Sequence, residues 1–237
     1  MRAAEARRRR RWLAGMAAAA VAVAAAVGII VAVITGGNSA AEPQLKLAPL
    51  STLGTLKPAP SAGPLGPEGV PVPSAPPLAG AGTAAAGQTI NGISCQANEQ
   101  VLFHIHAHLT IFVNGSPRQV PAAVGIPGAR AQNTPQGPFI GSGTCFYWLH
   151  THSADGIIHV ESPVKRTYTL GDFFDEWGQP LSPSQVGPAT GHVTVIYNGR
   201  VYQGNPRGIP LTAHAQIQLE VGTPHIAPET ISWPSGL

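Results

Sequence analysis

Methionine does not occur after Met16, and only two cysteines, Cys95 and Cys145, occur at all. A blue-copper centre takes a cysteine thiolate and an axial methionine, so it is excluded once the two cysteines are bridged to each other. Their spacing is not that of a CxxC pair, which argues against thiolate zinc ligation. A phosphate loop, a dinucleotide fingerprint and a Ser-His-Asp pattern are missing as well. Charge is sparse and unevenly placed. Arg2 and Arg7 to Arg11 supply six of the fourteen Lys and Arg residues. From residue 88 onward, six positive residues face eight negative ones, a net −2 with histidine neutral. A domain of that sign has no basic face for a phosphate backbone, so nucleic acid is excluded as a partner.

What is present divides the chain into four parts. Residues 1–11 are a basic tail, and residues 12–34 are 23 residues without a charge. As a helix rising 1.5 Å per residue, that run covers roughly 34 Å, enough for a hydrocarbon core of about 30 Å. Arginines just before it keep the N-terminus in the cytoplasm, so a single-pass anchor with the remainder outside the cell membrane is expected. The alternative is a signal peptide, cleaved to give a secreted protein; its apolar core is usually shorter, about 7–15 residues. Residues 36–87 are rich in Pro, Ala and Gly, with Pro43, Pro49, Pro58, Pro60 and Pro64 among ten prolines from residue 42 on. Proline fixes φ and removes a backbone donor, so this part reads as a semi-rigid stalk. Residues 88–237, about 150 in number, suit one domain with one core.

That domain reads as mainly β. Phe103, Ile105, Ala107, Leu109, Ile111 and Val113 alternate with His104, His106, His108 and Thr110, the period-two signature of a strand with one apolar face. Asn114-Gly115 predicts a hairpin, with Arg118 to Gly125 as the return strand. Cys145 to Thr151 and Ile157 to Glu161 read as further strands, joined by a turn at Asp155-Gly156. His192 to Tyr197 and Arg200 to Gln203 flank Asn198-Gly199, and Ala215 to Val221 alternates again. One helix is expected over Leu170 to Trp177, capped by Thr169. An antiparallel sandwich or open barrel with one short helix follows. The late order of helix, hairpin and strand also permits a β-grasp-like α+β arrangement.

Cys95 and Cys145 fall in the part expected outside the cytoplasm, where disulfides persist. A bridge between them closes a loop of about 50 residues, worth about 4 kcal/mol on the chain-entropy account.

All nine histidines follow residue 100, and six fall in two windows: His104, His106, His108, then His150, His152, His159. Glu161 shares a strand face with His159. Residues i and i+2 of a strand point the same way about 6.6 Å apart, so two such imidazoles can converge on one ion. His104 and His108, about 13 Å apart along the strand, cannot both do so on a regular one; His106 with one neighbour is the expected pair. If the three strands are adjacent, a three- or four-ligand site forms across the sheet. Imidazole and carboxylate ligands suit copper or zinc outside the cell. Solvated polar filling and a pH-responsive cluster are the alternatives to a metal. His192, His214 and His225 are isolated and expected to be ordinary surface or hairpin residues.

The HIHAHL stretch from His104, the run Cys145 to Pro163 containing LHTHSADGIIHVE, and YTLGDFFDEW from Tyr168 resemble a family of uncharacterised secreted or membrane-anchored bacterial domains. The resemblance spans about residues 95 to 222 and implies a shared domain, with no activity attached. Cupins and α-type carbonic anhydrases also place HxH on a strand, an analogy of ligand geometry alone. The leading expectation is a membrane-tethered, extracytoplasmic domain that binds copper or zinc for sensing, buffering or delivery. A metalloenzyme is the second, with a metal-bound water, Glu161 as general base, and Thr151, Ser153 and Asp155 nearby. A structural or interaction domain is the third.

Overall fold

A strand that alternates apolar and polar residues needs a different neighbour on each side, and here both sides of one sheet are covered. The computed structural model describes residues 45–82 and 85–237. The basic tail and the expected membrane anchor lie outside the described residues; among the described residues no helix is long and apolar enough to cross a membrane. In chain order the strands are β1 (Leu47–Ala48), β2 (Cys95–Gln96), β3 (Phe103–Val113), β4 (Ser116–Arg118), β5 (Arg130–Thr134), β6 (Gly137–Ser142), β7 (Phe146–Tyr147), β8 (Leu149–His150), β9 (Ile157–Ser162), β10 (Leu181–Ser182), β11 (Gln185–Val186), β12 (Ala189–Thr190), β13 (Val193–Tyr197), β14 (Arg200–Tyr202) and β15 (Ala215–Val221). The helix α1 (Leu170–Trp177) lies between β9 and β10.

Eight strands form the main sheet in the order β1-β14-β13-β15-β3-β9-β8, with β4 also paired to β3. The sheet does not close into a barrel, and it is mixed rather than antiparallel. The reason is β15, which runs parallel to β3 in full register from Ala215↔Ala107 to Val221↔Val113. Smaller ladders join β10-β11-β12, β2-β7 and β5-β6. Both Asn-Gly pairs turn as predicted: Asn114, Gly115, Asn198 and Gly199 all have positive φ, as a tight hairpin requires. The return strand after Asn114-Gly115 comes earlier than expected and shares only Arg118 with the expected Arg118 to Gly125. β4 stops at Arg118, opposite Ile111, because β9 takes the same edge of β3 from His108 outward. The strand expected from Cys145 to Thr151 is split at Trp148 into β7 and β8.

One face of the sheet carries Ala107, Leu109, Ile111, Ile158, Val160, Val195, Ile217 and Leu219, packed with Leu170, Phe173, Phe174 and Trp177 of α1. The helix starts where predicted. The Thr169 hydroxyl accepts from the Asp172 N–H, the Asp172 carboxylate accepts from the Thr169 N–H, and Gly178 closes the helix in the left-handed region. The Cys95–Cys145 disulfide is formed.

The opposite face carries the histidines and, on β15, Gln216, Gln218 and Glu220. Those three side chains take the place of a strand: their oxygens accept from the N–H groups of Ile231, Glu229 and Ile226, each at 2.9 Å, and so hold the C-terminal segment down. The Pro-rich part corrects the stalk expectation. Residues 45–82 lie on the domain, with Val70 and Leu78 buried and β1 extending the sheet. Proline cannot donate, but its carbonyl still accepts: Pro76 O takes the Gln119 N–H, and Pro73 O takes the Gln119 amide. Composition alone predicts a spacer because it reports missing donors and says nothing about acceptors or apolar rings.

Candidate metal centre

The register brings the two histidine windows together. His104 lies opposite Glu161 and His106 opposite His159 across β3 and β9, and His150 lies opposite His159 across β9 and β8. The side chains share the face away from α1. His106, His150, His152, His159 and Glu161 are buried, while the His104 side chain stays partly open to solvent.

Two groups of donor atoms result, each within 4.8 Å. The first is His104, His106, His159 and Glu161. His104 Nε2 is 3.1 Å from His106 Nε2 and 3.1 Å from Glu161 Oε1. His159 Nδ1 is 3.1 Å from His106 Nε2 and 3.4 Å from Glu161 Oε1. A tetrahedral ion with bonds near 2.0–2.1 Å has its donors about 3.3 Å apart, so these four distances match the edges of such a site. The second group is His150, His152, His159 and Glu161. His150 Nε2 is 3.1 Å from His152 Nε2, and Glu161 Oε2 is 3.8 Å from His150 Nε2.

The rings are held by the fold. His150 Nδ1–H donates to Tyr147 O at 2.8 Å. His152 Nδ1–H donates to Ile140 O on β6, and its ring stacks on Phe139 at 4.8 Å between centroids. These bonds fix the tautomers and leave each Nε2 a bare lone pair, the usual orientation of a metal ligand. His159 Nε2 bonds Glu68 Oε1 at 2.7 Å, so its Nδ1 is the atom turned toward His106 and Glu161 in the first group. Glu68 comes from the Pro-rich segment, on a tight loop closed by Gly66 N–H to Val70 O. Gly69, with φ +74°, makes that loop possible.

Burial is the first cause of every shift here. It drives His106 down to about 3, helped by its neighbours His159 and His104, and it holds His150 well below the usual range and His152 below it. Those three rings are neutral at pH 7 and able to ligate. Burial would depress His159 too, but its bonds to Glu161 and Glu68 push it up to about 9. Glu161 and Glu68 sit below the ordinary carboxylate value: burial raises each, and His159 more than offsets it. Glu99, whose Oε1 is 3.5 Å from His152 Nε2, is raised by burial and by the charge of Glu161. An open cleft of about 470 Å³ reaches this end of the cluster, lined by Glu68, Glu99, Phe139, His152, His159 and Leu237.

His108 is not brought into either group. Its Nε2–H donates to Asp155 O at 2.9 Å, burial drives it down to about 4, and it lines a separate cavity of about 210 Å³ with Asp155. The strand is regular through 104–108, so the third histidine lies too far along it. Glu161 is buried among His104, His150 and His159. Thr151 and Ser153 are buried, Thr151 donating to Pro121 O. His225 is not an ordinary surface residue: its Nδ1 is 2.6 Å from Glu220 Oε2. His192 is exposed, and His214 stacks on Trp233. Sequence reasoning missed Glu68 and Glu99. A signal for the first exists, since Glu68 is the one charged residue between Lys57 and Glu99. No protein-family profile, curated protein or solved structure matches the chain.

Proposed function

We propose that this chain is a transition-metal-binding module, with zinc or copper as the ion and sensing, buffering or delivery as its use. The observation that carries the reading is the pair of bare lone pairs on His150 and His152. Both Nδ1–H groups are committed to carbonyls, burial keeps both rings neutral, and the two Nε2 atoms face each other at 3.1 Å. Two acceptors at that distance repel, and neither carries a proton to share. A cation between them turns the repulsion into two bonds. The N₃O set of His104, His106, His159 and Glu161, at tetrahedral edge lengths, suits zinc best. With both cysteines in the disulfide, no thiolate competes.

The setting belongs to the same proposal. The arginines of residues 1–11, the uncharged run 12–34 and the disulfide support a domain held outside the cytoplasm on a membrane anchor. The LHTHSADGIIHVE motif supports membership of the family of secreted or anchored bacterial domains that it resembles. The parallel β3–β15 pair, with the helix and a hairpin between them in the chain, supports a β-grasp-like core.

The test is metal content. The full-length chain, purified with detergent and dialysed, is expected to hold zinc or copper near stoichiometry. A His104→Ala, His106→Ala, His150→Ala, His152→Ala variant with unchanged circular dichroism is expected to hold none. A parent that stays metal-free after added Zn²⁺ and Cu²⁺ overturns the proposal and leaves a structural or interaction domain. The cleft beside His152 and His159 favours a second reading, a metalloenzyme whose water enters there. In that reading the general base is Glu99 on the rim, whose carboxyl is raised, rather than Glu161.

A further inference from the structure

The number of donors exceeds what one ion takes. Five imidazoles and the carboxylates Glu68, Glu99 and Glu161 meet on one face, whereas a structural zinc takes four ligands. The surplus is sorted in space. Glu161 turns its two oxygens to different histidines: Oε1 lies 3.1 Å from His104 Nε2, and Oε2 lies 3.8 Å from His150 Nε2. Oε2 is buried and has no hydrogen-bond partner among the described residues, although a buried carboxylate oxygen ordinarily has one. His159 stands between the groups, ring-to-ring 4.5 Å from both His106 and His152.

From this arrangement we infer that the centre is dinuclear, with two divalent transition-metal ions bridged by the Glu161 carboxylate. The inference rests on the metal-binding reading given above. The first ion takes His104 Nε2, His106 Nε2, His159 Nδ1 and Glu161 Oε1. The second takes His150 Nε2, His152 Nε2 and Glu161 Oε2, with Glu99 Oε1, 3.5 Å from His152 Nε2, closing its shell from the cleft rim. Glu68 ligates neither ion; it accepts the His159 Nε2–H and so aims Nδ1 at the first. A carboxylate bridge sets two ions about 3.5–4 Å apart, the spacing of two-metal sites. Charge supports the pairing. Glu68, Glu99 and Glu161 together carry −3 when ionised, enough to offset most of two divalent ions. The half-exposed Glu99 also makes the second position the one that opens to the cleft, where an exchangeable ligand or ion enters.

The experiment is a titration of the chelator-stripped full-length chain with Zn²⁺ and with Cu²⁺, counting bound ions and recording the copper spectrum by electron paramagnetic resonance. About two equivalents are expected, with copper spins coupled at full loading. The pair His104→Ala, His106→Ala and the pair His150→Ala, His152→Ala are each expected to keep one equivalent with an uncoupled spectrum. Glu161→Gln is expected to weaken the second ion by at least about tenfold. Circular dichroism and the intact disulfide check that each variant folds. One equivalent in the parent overturns the dinuclear centre and leaves the metal-binding module standing. Two equivalents with uncoupled spins, unaffected by Glu161→Gln, overturn the bridge. No binding at all overturns both readings.

Discussion

The two faces of the central sheet are built from the same strands and solve opposite problems. On the helix side, Ala107, Leu109, Ile111, Ile158 and Val160 meet α1, and apolar burial does the holding. On the other side, His104, His106, His159 and Glu161 alternate with those residues on β3 and β9, and polar groups are brought within about 3.1–3.4 Å of one another. Carboxylates make the contrast sharpest. Glu161 and Glu68 on the histidine face are held below the ordinary value, because His159 overcomes the cost of burial. Glu176 on α1 is as deeply buried and is raised well above it by burial and by Asp172, which the charge of Arg166 and the backbone of Leu149 do not offset. Burial has one sign throughout; what differs is whether a facing cation outweighs it.

If the helix face is only a scaffold, breaking it should cost stability and leave the metal chemistry alone. Phe173, fully buried on α1, is the place to test this. Phe173→Ala is expected to destabilise by about 3–5 kcal/mol in urea unfolding. The metal bound per folded molecule should not change. A loss of stoichiometry in the folded fraction would show that the faces are not independent.

Glu176→Gln probes the carboxylate whose burial no facing cation outweighs. A carboxyl raised in the fold favours folding while it stays protonated, and that contribution is lost as pH rises from the ordinary carboxylate value toward the raised one. Glutamine is neutral at every pH. With chelator present, the variant should therefore gain on the parent as pH goes from about 4.5 to 8, read as a widening difference in Tm. A constant difference across that range would mean that Glu176 meets a partner charge after all.

The histidine face should show the reverse dependence, stable only with its ion. At a free Zn²⁺ concentration about a hundredfold above Kd, the parent should gain about 2.7 kcal/mol over the chelated protein. The variant lacking His104, His106, His150 and His152 should gain nothing. Equal melting of the parent with Zn²⁺ and with chelator would remove the distinction between the faces.

The sequence made most of the strands legible, because alternation is a local property. β3, β9, β13 and β15 follow the period-two pattern closely, and Thr169 marks the helix start. It did not make the order of the strands legible. That β15 lies parallel to β3, and that β9 takes the other edge of β3, depends on contacts more than forty residues apart in the chain. The histidines were visible as a cluster for the same local reason; strand rise says that His104 and His108 cannot share an ion, and the register of β9, with Glu161 opposite His104 and His159 opposite His106, decides that His108 is the one left out. Glu68 was hidden because a proline-rich segment reads as a spacer until something is seen to meet its carbonyls and the Glu68 carboxylate.

Glu68 therefore gives the finest test of the comparison, because it belongs to the covering segment and to neither strand of the pair. Its carboxylate accepts the His159 Nε2–H at 2.7 Å, and its only role in the centre is to orient that ring. Outer carboxylates of this kind change metal affinity about 10- to 100-fold when removed, about 1.4 to 2.7 kcal/mol. Glu68→Ala should weaken zinc binding by that factor with the donor atoms unchanged, and in chelator it should also unfold more readily than the parent, because the buried His159 loses the carboxylate it is paired with. Glu68→Gln separates aim from charge: its amide oxygen still accepts the His159 hydrogen, so it should recover a large part of the loss. If alanine and glutamine weaken binding equally, the charge of Glu68 matters and its hydrogen bond does not. If neither weakens it, the Pro-rich segment is a cover for the histidine face and no part of its chemistry.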